Sequence, residues 1–107
     1  MSRIRAHSDV FRAIADPTRR AILDRLRGGG APVNALAAEF TQSRPAISKH
    51  LGVLRRARLV REQRSGRERI YTLDPMPLQR VSGWVEGYRA FWVTNLNALR
   101  THLERGG

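Results

Sequence analysis

The sequence contains no cysteine, and that absence removes disulfide staples, thiolate metal sites and a Cys nucleophile together. Lysine is almost missing as well: Lys49 is the single one, so the positive charge is nearly all arginine. Acids are scarce. Nine Asp and Glu stand against 20 Lys and Arg, for a formal net charge of +11 at pH 7. Long apolar runs are also lacking. No stretch approaches the ~20 apolar residues of a membrane span, and the opening MSRIRAHSDVF has no apolar run long enough for a signal peptide. A soluble cytoplasmic protein is therefore expected, with no membrane partner. The glycine triplet at 28–30 lacks the Lys-Ser/Thr of a phosphate-binding loop. No histidine has an acid and a nucleophile at recognisable spacing, so no enzymatic chemistry and no cofactor are expected.

What is present is charge in one place. Ser43 to Thr72 holds nine basic residues against two acids, Glu62 and Glu68, and so carries most of the net charge. A solvated surface mixes the two signs more evenly. Such a segment points to a polyanionic partner, nucleic acid first and an acidic membrane surface second. The length, 107 residues, suits a single domain over 1–107 with a small core, of the size that often gains stability by pairing with a copy of itself.

Periodicity predicts mainly helix with one small β-hairpin. Ser8 is placed to cap a helix over 8–15 that aligns Val10, Phe11 and Ile14. Asp16-Pro17 restarts the chain as an N-cap and a first helical residue, and Gly28-Gly29-Gly30 ends that second helix. Pro32 to Phe40 reads as a third helix, Thr41-Gln42 as a tight turn, and Ser43 as the cap of a fourth. The period then changes. Leu59 to Leu73 reads as a hairpin turning at Ser65-Gly66, and about Leu78 to Leu103 as one long helix.

The stretch SRPAISKHLGVLRRARLV, residues 43–60, carries the chemistry. On a helical wheel Ile47, Leu51 and Leu54 fall on one side, while Pro45, Ser48, Lys49, Gly52 and Arg56 fall on the other. The outer face is narrow, polar and cationic, as a helix entering a major groove about 12 Å wide requires. Arg44, Pro45, Ser48 and Lys49 are the candidates for base contact, since residues in the N-terminal half of such a helix reach base edges. Ser43, Arg55 and Arg56, with Arg64, Arg67 and Arg69 of the hairpin, are the candidates for phosphate. Charged outer faces and charged hairpins are common on any surface, and it is their order that is informative. Helix, short turn, helix, basic hairpin is the plan of a winged helix-turn-helix, with 33–57 as the helix-turn-helix and 59–73 as the wing.

Together DVFRAIADPTRRAILDRL, SRPAISKHLGVLRRARLV and RSGRERIYTL resemble the ArsR/SmtB family of bacterial winged-helix repressors over roughly residues 8–75. The resemblance implies a homodimer that binds an inverted-repeat operator in double-stranded DNA, often before its own operon. It further implies that the terminal helices, 8–15 and 78–103, form the dimer interface. Phe11, Trp84, Tyr88, Phe91, Trp92 and Leu99 are the interface candidates, aromatics being enriched at such surfaces. The same aromatics could instead line a pocket for an apolar effector, whose existence the sequence does not reveal.

Two departures from the family pattern stand out. Metal-sensing members use thiols in the third helix or Asp, His and Glu pairs in the last. Here the third helix reads VNALAAEF, and the last offers only His102 and Glu104. No metal is expected, and the chain looks like the metal-independent branch that includes small autorepressors. The second departure is Arg58, where the family usually has a glycine that ends the recognition helix in a left-handed turn. Either the turn is reshaped, or the charge is worth a cost of about 1 kcal/mol as a phosphate contact. Two rivals come from other classes: an architectural or RNA-binding protein using the basic surface without sequence choice, and a membrane-surface protein.

Overall fold

The computed structural model describes residues 9–106. Ser8, expected to cap the first helix, and His7 lie outside them. Helix α1 spans residues 9–14 and is followed by α2 (Pro17–Leu26), β1 (Ala31–Pro32), α3 (Val33–Glu39), α4 (Arg44–Arg56), β2 (Val60–Ser65), β3 (Glu68–Leu73) and α5 (Leu78–Glu104). This is a winged helix-turn-helix with a small antiparallel sheet and a long C-terminal helix.

Local chemistry sets the helix starts. Asp16 caps α2 by accepting from the Arg19 amide at 3.0 Å, with Pro17 in the first turn. That bond is the main reason the Asp16 carboxyl titrates below its ordinary value, so the cap keeps its charge into acid. The end of α1 is closed by side chains. Arg19 donates to the carbonyls of Ala13 (2.7 Å) and Arg12 (2.9 Å), and Arg20 to that of Ile14 (2.8 Å). The last carbonyls of a helix lack intrahelical partners, and of these three the Arg12 oxygen also accepts from the Ala15 amide at 3.2 Å. Arg19 and Arg20 thereby join α2 to α1.

The core lies between α2, α3, α4 and the base of the sheet. Ile22, Leu36, Ile47, Leu51, Leu54 and Leu59 are fully buried, each worth about 1.5–3 kcal/mol of burial. Around it, Gln42 in the helix–helix turn donates to Thr18 of α2 at 2.7 Å, and Arg25 of α2 pairs with Glu39 of α3 at 2.7 Å. Together these ties fix α3 and α4 against α2.

The sheet has three strands in the order β1-β3-β2, one more than the expected hairpin. β1 is two residues long, with Ala31 opposite Tyr71 and Pro32 opposite Ile70. Pro32 therefore belongs to an edge strand, where the missing N–H is tolerated, and α3 starts one residue later than the sequence suggested. Gly30 permits the approach: a Cβ there would lie 2.7 Å from Thr72 Cγ2 and 3.1 Å from the Tyr71 carbonyl oxygen. The turn of the wing is Gly66-Arg67, one residue beyond the expected Ser65-Gly66. Gly66 has φ 62°, the positive value a two-residue hairpin loop needs at its first central position.

At Arg58 the family's turn is kept and the arginine carries it. Its φ is 63°. The Leu59 amide donates to the Leu54 carbonyl at 3.0 Å and the Arg58 amide to that of Arg55 at 2.9 Å, the paired bonds of a Schellman ending. Leu54 and Leu59 are both fully buried beside it, so the core holds the chain in this turn. Arg58→Gly is expected to stabilise the protein by about 1 kcal/mol, read as a melting temperature several degrees higher. A simultaneous loss of DNA affinity would assign the Arg58 charge to a phosphate; unchanged affinity would leave it as strain alone.

Candidate nucleic-acid interface

The interface is built on α4. Ser43 accepts from the Ala46 amide at 3.3 Å and so fixes where the helix begins. One side of α4 is the buried stripe of Ile47, Leu51 and Leu54, and the helix cannot roll without exposing it. This leaves Arg44, Pro45, Ser48 and Lys49 in solvent near the N-terminal end, with Arg55 and Arg56 exposed near the other. His50 sits at the seam, half-buried, with Nδ1 3.9 Å from Asp16 and 3.4 Å from Arg19 Nη1.

The wing is placed by its register. Glu62 lies opposite Tyr71 and Arg64 opposite Arg69, so these four share one face of the β2–β3 pair. Two arginines directly opposite repel each other, and Glu62 relieves the charge. Its carboxylate accepts from Arg69 at 2.8 Å and Tyr71 Oη at 3.1 Å, and lies 3.5 Å from Arg55 Nη1 on α4. Burial and the adjacent carboxylate push the Tyr71 phenol above its ordinary pKa. Arg61 is also paired, with Asp74 at 3.0 Å. Among the described residues Arg44, Lys49, Arg56, Arg58, Arg64 and Arg67 of this segment have no carboxylate within 4.0 Å.

The structure brings four of the sequence candidates to one place. Arg44 and Ser48 of α4 and Arg67 and Arg69 of the wing line one cleft of about 370 Å³, together with Asn34, Tyr71 and one acid, Glu68. Ser43, Pro45, Lys49, Arg55, Arg56 and Arg64 do not line it. The cleft is open, polar and cationic, a shape suited to a phosphate strand running between a helix and a hairpin. Sequence reading missed Glu62 as part of the site because it counted only as an acid. In the observed register Arg69 is its diagonal neighbour, two residues along β3 from Tyr71, and within ion-pair reach.

α5 carries a second surface. Eight of its large apolar residues lie 47–64% exposed, and none of its residues is buried. An edge-to-face chain links it to α1: Phe11 to Trp84 at 5.8 Å, then Trp84 to Tyr88 at 5.4 Å, then stacked Trp92 at 6.4 Å. Phe91 and Leu99 stay exposed farther along. The radius of gyration is 18.7 Å, against about 13 Å for a compact chain of this length, because α5 projects from the core. It is not apolar enough over its length to cross a membrane. Among the described residues no group of three or more His, Asp or Glu could hold a metal ion.

Known proteins share this plan. A family model described as a helix-turn-helix domain matches residues 14–63. The chain is 42% identical over 105 residues to the HTH-type transcriptional regulator Rv2034 of Mycobacterium tuberculosis, covering 98% of this chain and 81% of that protein. It is 41% identical over 78 residues to the transcriptional repressor SdpR of Bacillus subtilis, covering 73% and 87%. The crystal structure of the ArsR family transcriptional regulator RHA00566 superposes with a TM-score of 0.73 at 34% identity, over 82% of this chain and 91% of that one. With the helix-turn-helix, the wing and the long last helix all in place, the chain belongs to the ArsR/SmtB family of DNA-binding transcriptional regulators, which are not enzymes.

Proposed function

We propose that the protein is a homodimeric repressor that binds an inverted-repeat operator, including one before its own operon. The observation that carries this reading is the pairing of two surfaces on one chain: a cationic face on α4 and the wing, and a bare apolar face along α5. An apolar face this large is rarely left in water by a lone chain, and a second copy offers the same aromatic stripe in return. SdpR, similar over most of its length, is itself a transcriptional repressor.

Two chains paired through α1 and α5 set their α4 helices about 34 Å apart, one turn of DNA, so that both enter major grooves on the same side. Arg44, Pro45, Ser48 and Lys49 meet base edges. Arg55, Arg56, Arg64, Arg67 and Arg69, with Ser43 at the helix start, meet phosphates. The bound dimer denies the promoter to polymerase.

The test compares the DNA upstream of the protein's own gene with scrambled DNA at two salt concentrations, with the mass of the complex measured alongside. A dimer with about a thousandfold preference that survives the higher salt is expected. Equal binding that collapses with salt would favour an architectural protein instead. Gly52 offers an independent check. It lies on the same side of α4 as Pro45 and Lys49, and a Cβ there would meet only Arg56 Nη1, at 3.6 Å. Gly52→Ala should stabilise the helix by about 1 kcal/mol yet weaken DNA binding, because a methyl group thickens the face that enters the groove.

A further inference from the structure

We propose that Glu62 sets the selectivity of the interface: its carboxylate holds two arginines in fixed directions and cancels part of their attraction for phosphate. The proposal rests on the reading of α4 and the wing as the DNA face.

An acid paired with two arginines of a basic face calls for a reason. Glu62 is not a stray surface charge, since its side chain is only 16% exposed. It accepts from Arg69 at 2.8 Å and from Tyr71 Oη at 3.1 Å, both on β3, and reaches Arg55 Nη1 on α4 at 3.5 Å. One carboxylate thus ties the wing to the end of the recognition helix. The cluster carries a net charge of +1 where its two arginines alone would carry +2.

Binding to arbitrary DNA comes almost wholly from neutralised phosphates, and operator binding adds base contacts that Glu62 does not make. A free arginine is long and mobile, and it can follow a phosphate in any register. An arginine held by Glu62 points one way, and meets a phosphate well only when the helix is seated correctly. The acid therefore lowers affinity for all DNA, and lowers it most where the register is wrong. Glu62 acts through Arg55 and Arg69 and is a positioning residue.

The test uses the full chain and two DNA probes: a mixed-sequence duplex, and a duplex enriched by the wild-type protein from a random pool. Glu62→Gln keeps the shape and removes the charge. It should bind the mixed duplex roughly 3–10-fold more tightly at about 0.1 M salt. Its dependence of log affinity on log salt should steepen by up to about 2 for a dimer gaining one phosphate per chain. The enriched duplex should gain less, so that the preference narrows. Glu62→Asp keeps the charge and disturbs the geometry, and should retain the wild-type salt dependence. An unchanged salt dependence in Glu62→Gln, or weaker binding to both duplexes, would overturn the proposal. So would the same steepening in Glu62→Asp, which would assign the effect to the wing's geometry. A wild-type protein that bound neither duplex would be a different result, removing the DNA reading and this proposal with it.

Discussion

Leu96→Asp should yield a folded monomer that no longer holds an operator. Leu96 is 64% exposed in the single chain, and no residue of α5 belongs to the buried core. The substitution therefore leaves the protomer's own packing intact, and circular dichroism should stay unchanged. In a dimer joined along α5 it buries an unpaired carboxylate, at a cost of about 3 kcal/mol or more, equivalent to a hundredfold or greater weakening of association. Light scattering at micromolar protein should report the monomer mass. DNA binding should fall more steeply still, because a monomer presents one helix instead of two and its salt dependence is halved. A Leu96→Asp protein that remained dimeric with normal DNA affinity would take α5 out of the interface.

The second large effect separates base reading from phosphate binding. Lys49→Ala should cost about 1–3 kcal/mol on the best operator and blur the preference at one or two base pairs, with little change on random DNA. Arg67→Ala should weaken all sequences alike. In a dimer that loses two phosphate contacts, the salt dependence should flatten by about 2. Titration of both variants against operator and random duplexes, across a salt series, measures the four quantities together. Equal losses on both DNAs for both variants would overturn the division of labour between α4 and the wing. Neither residue has a carboxylate partner within 4.0 Å among the described residues, so neither change breaks an ion pair of the fold.

The helices were legible because their determinants are close in sequence. Asp16 caps through an amide three residues on, and Ser43 does the same. The buried stripe of α4 follows the 3.6-residue period. The hairpin was legible from its change of period, but its register was not. The turn one residue later puts Glu62 opposite Tyr71 and diagonal to Arg69, where the expected turn puts it opposite Arg69; Glu62 was passed over because it was counted only as an acid. The roles of Arg19 and Arg20 were not legible, because what they bind, the open end of α1, exists only once α1 and α2 have met.

The class of this protein is written in local features: a small, basic helix-turn-helix chain with a wing, a capped fourth helix and an aromatic stripe on its last helix. These follow from propensity, capping and periodicity, which act within a few residues. Packing between distant segments supplied the rest. It added the two-residue β1, which exists because Gly30 lets the backbone lie against β3. It kept Arg58 in a left-handed turn, because the burial of Leu54 and Leu59 outweighs the strain. It gathered Arg44, Ser48, Arg67 and Arg69 around one cleft and gave Arg69 and Arg55 a shared acid. Each of these is a contact between segments distant in the chain. Proline aside, a single residue's preference is worth about 1 kcal/mol or less, and several buried side chains together override it.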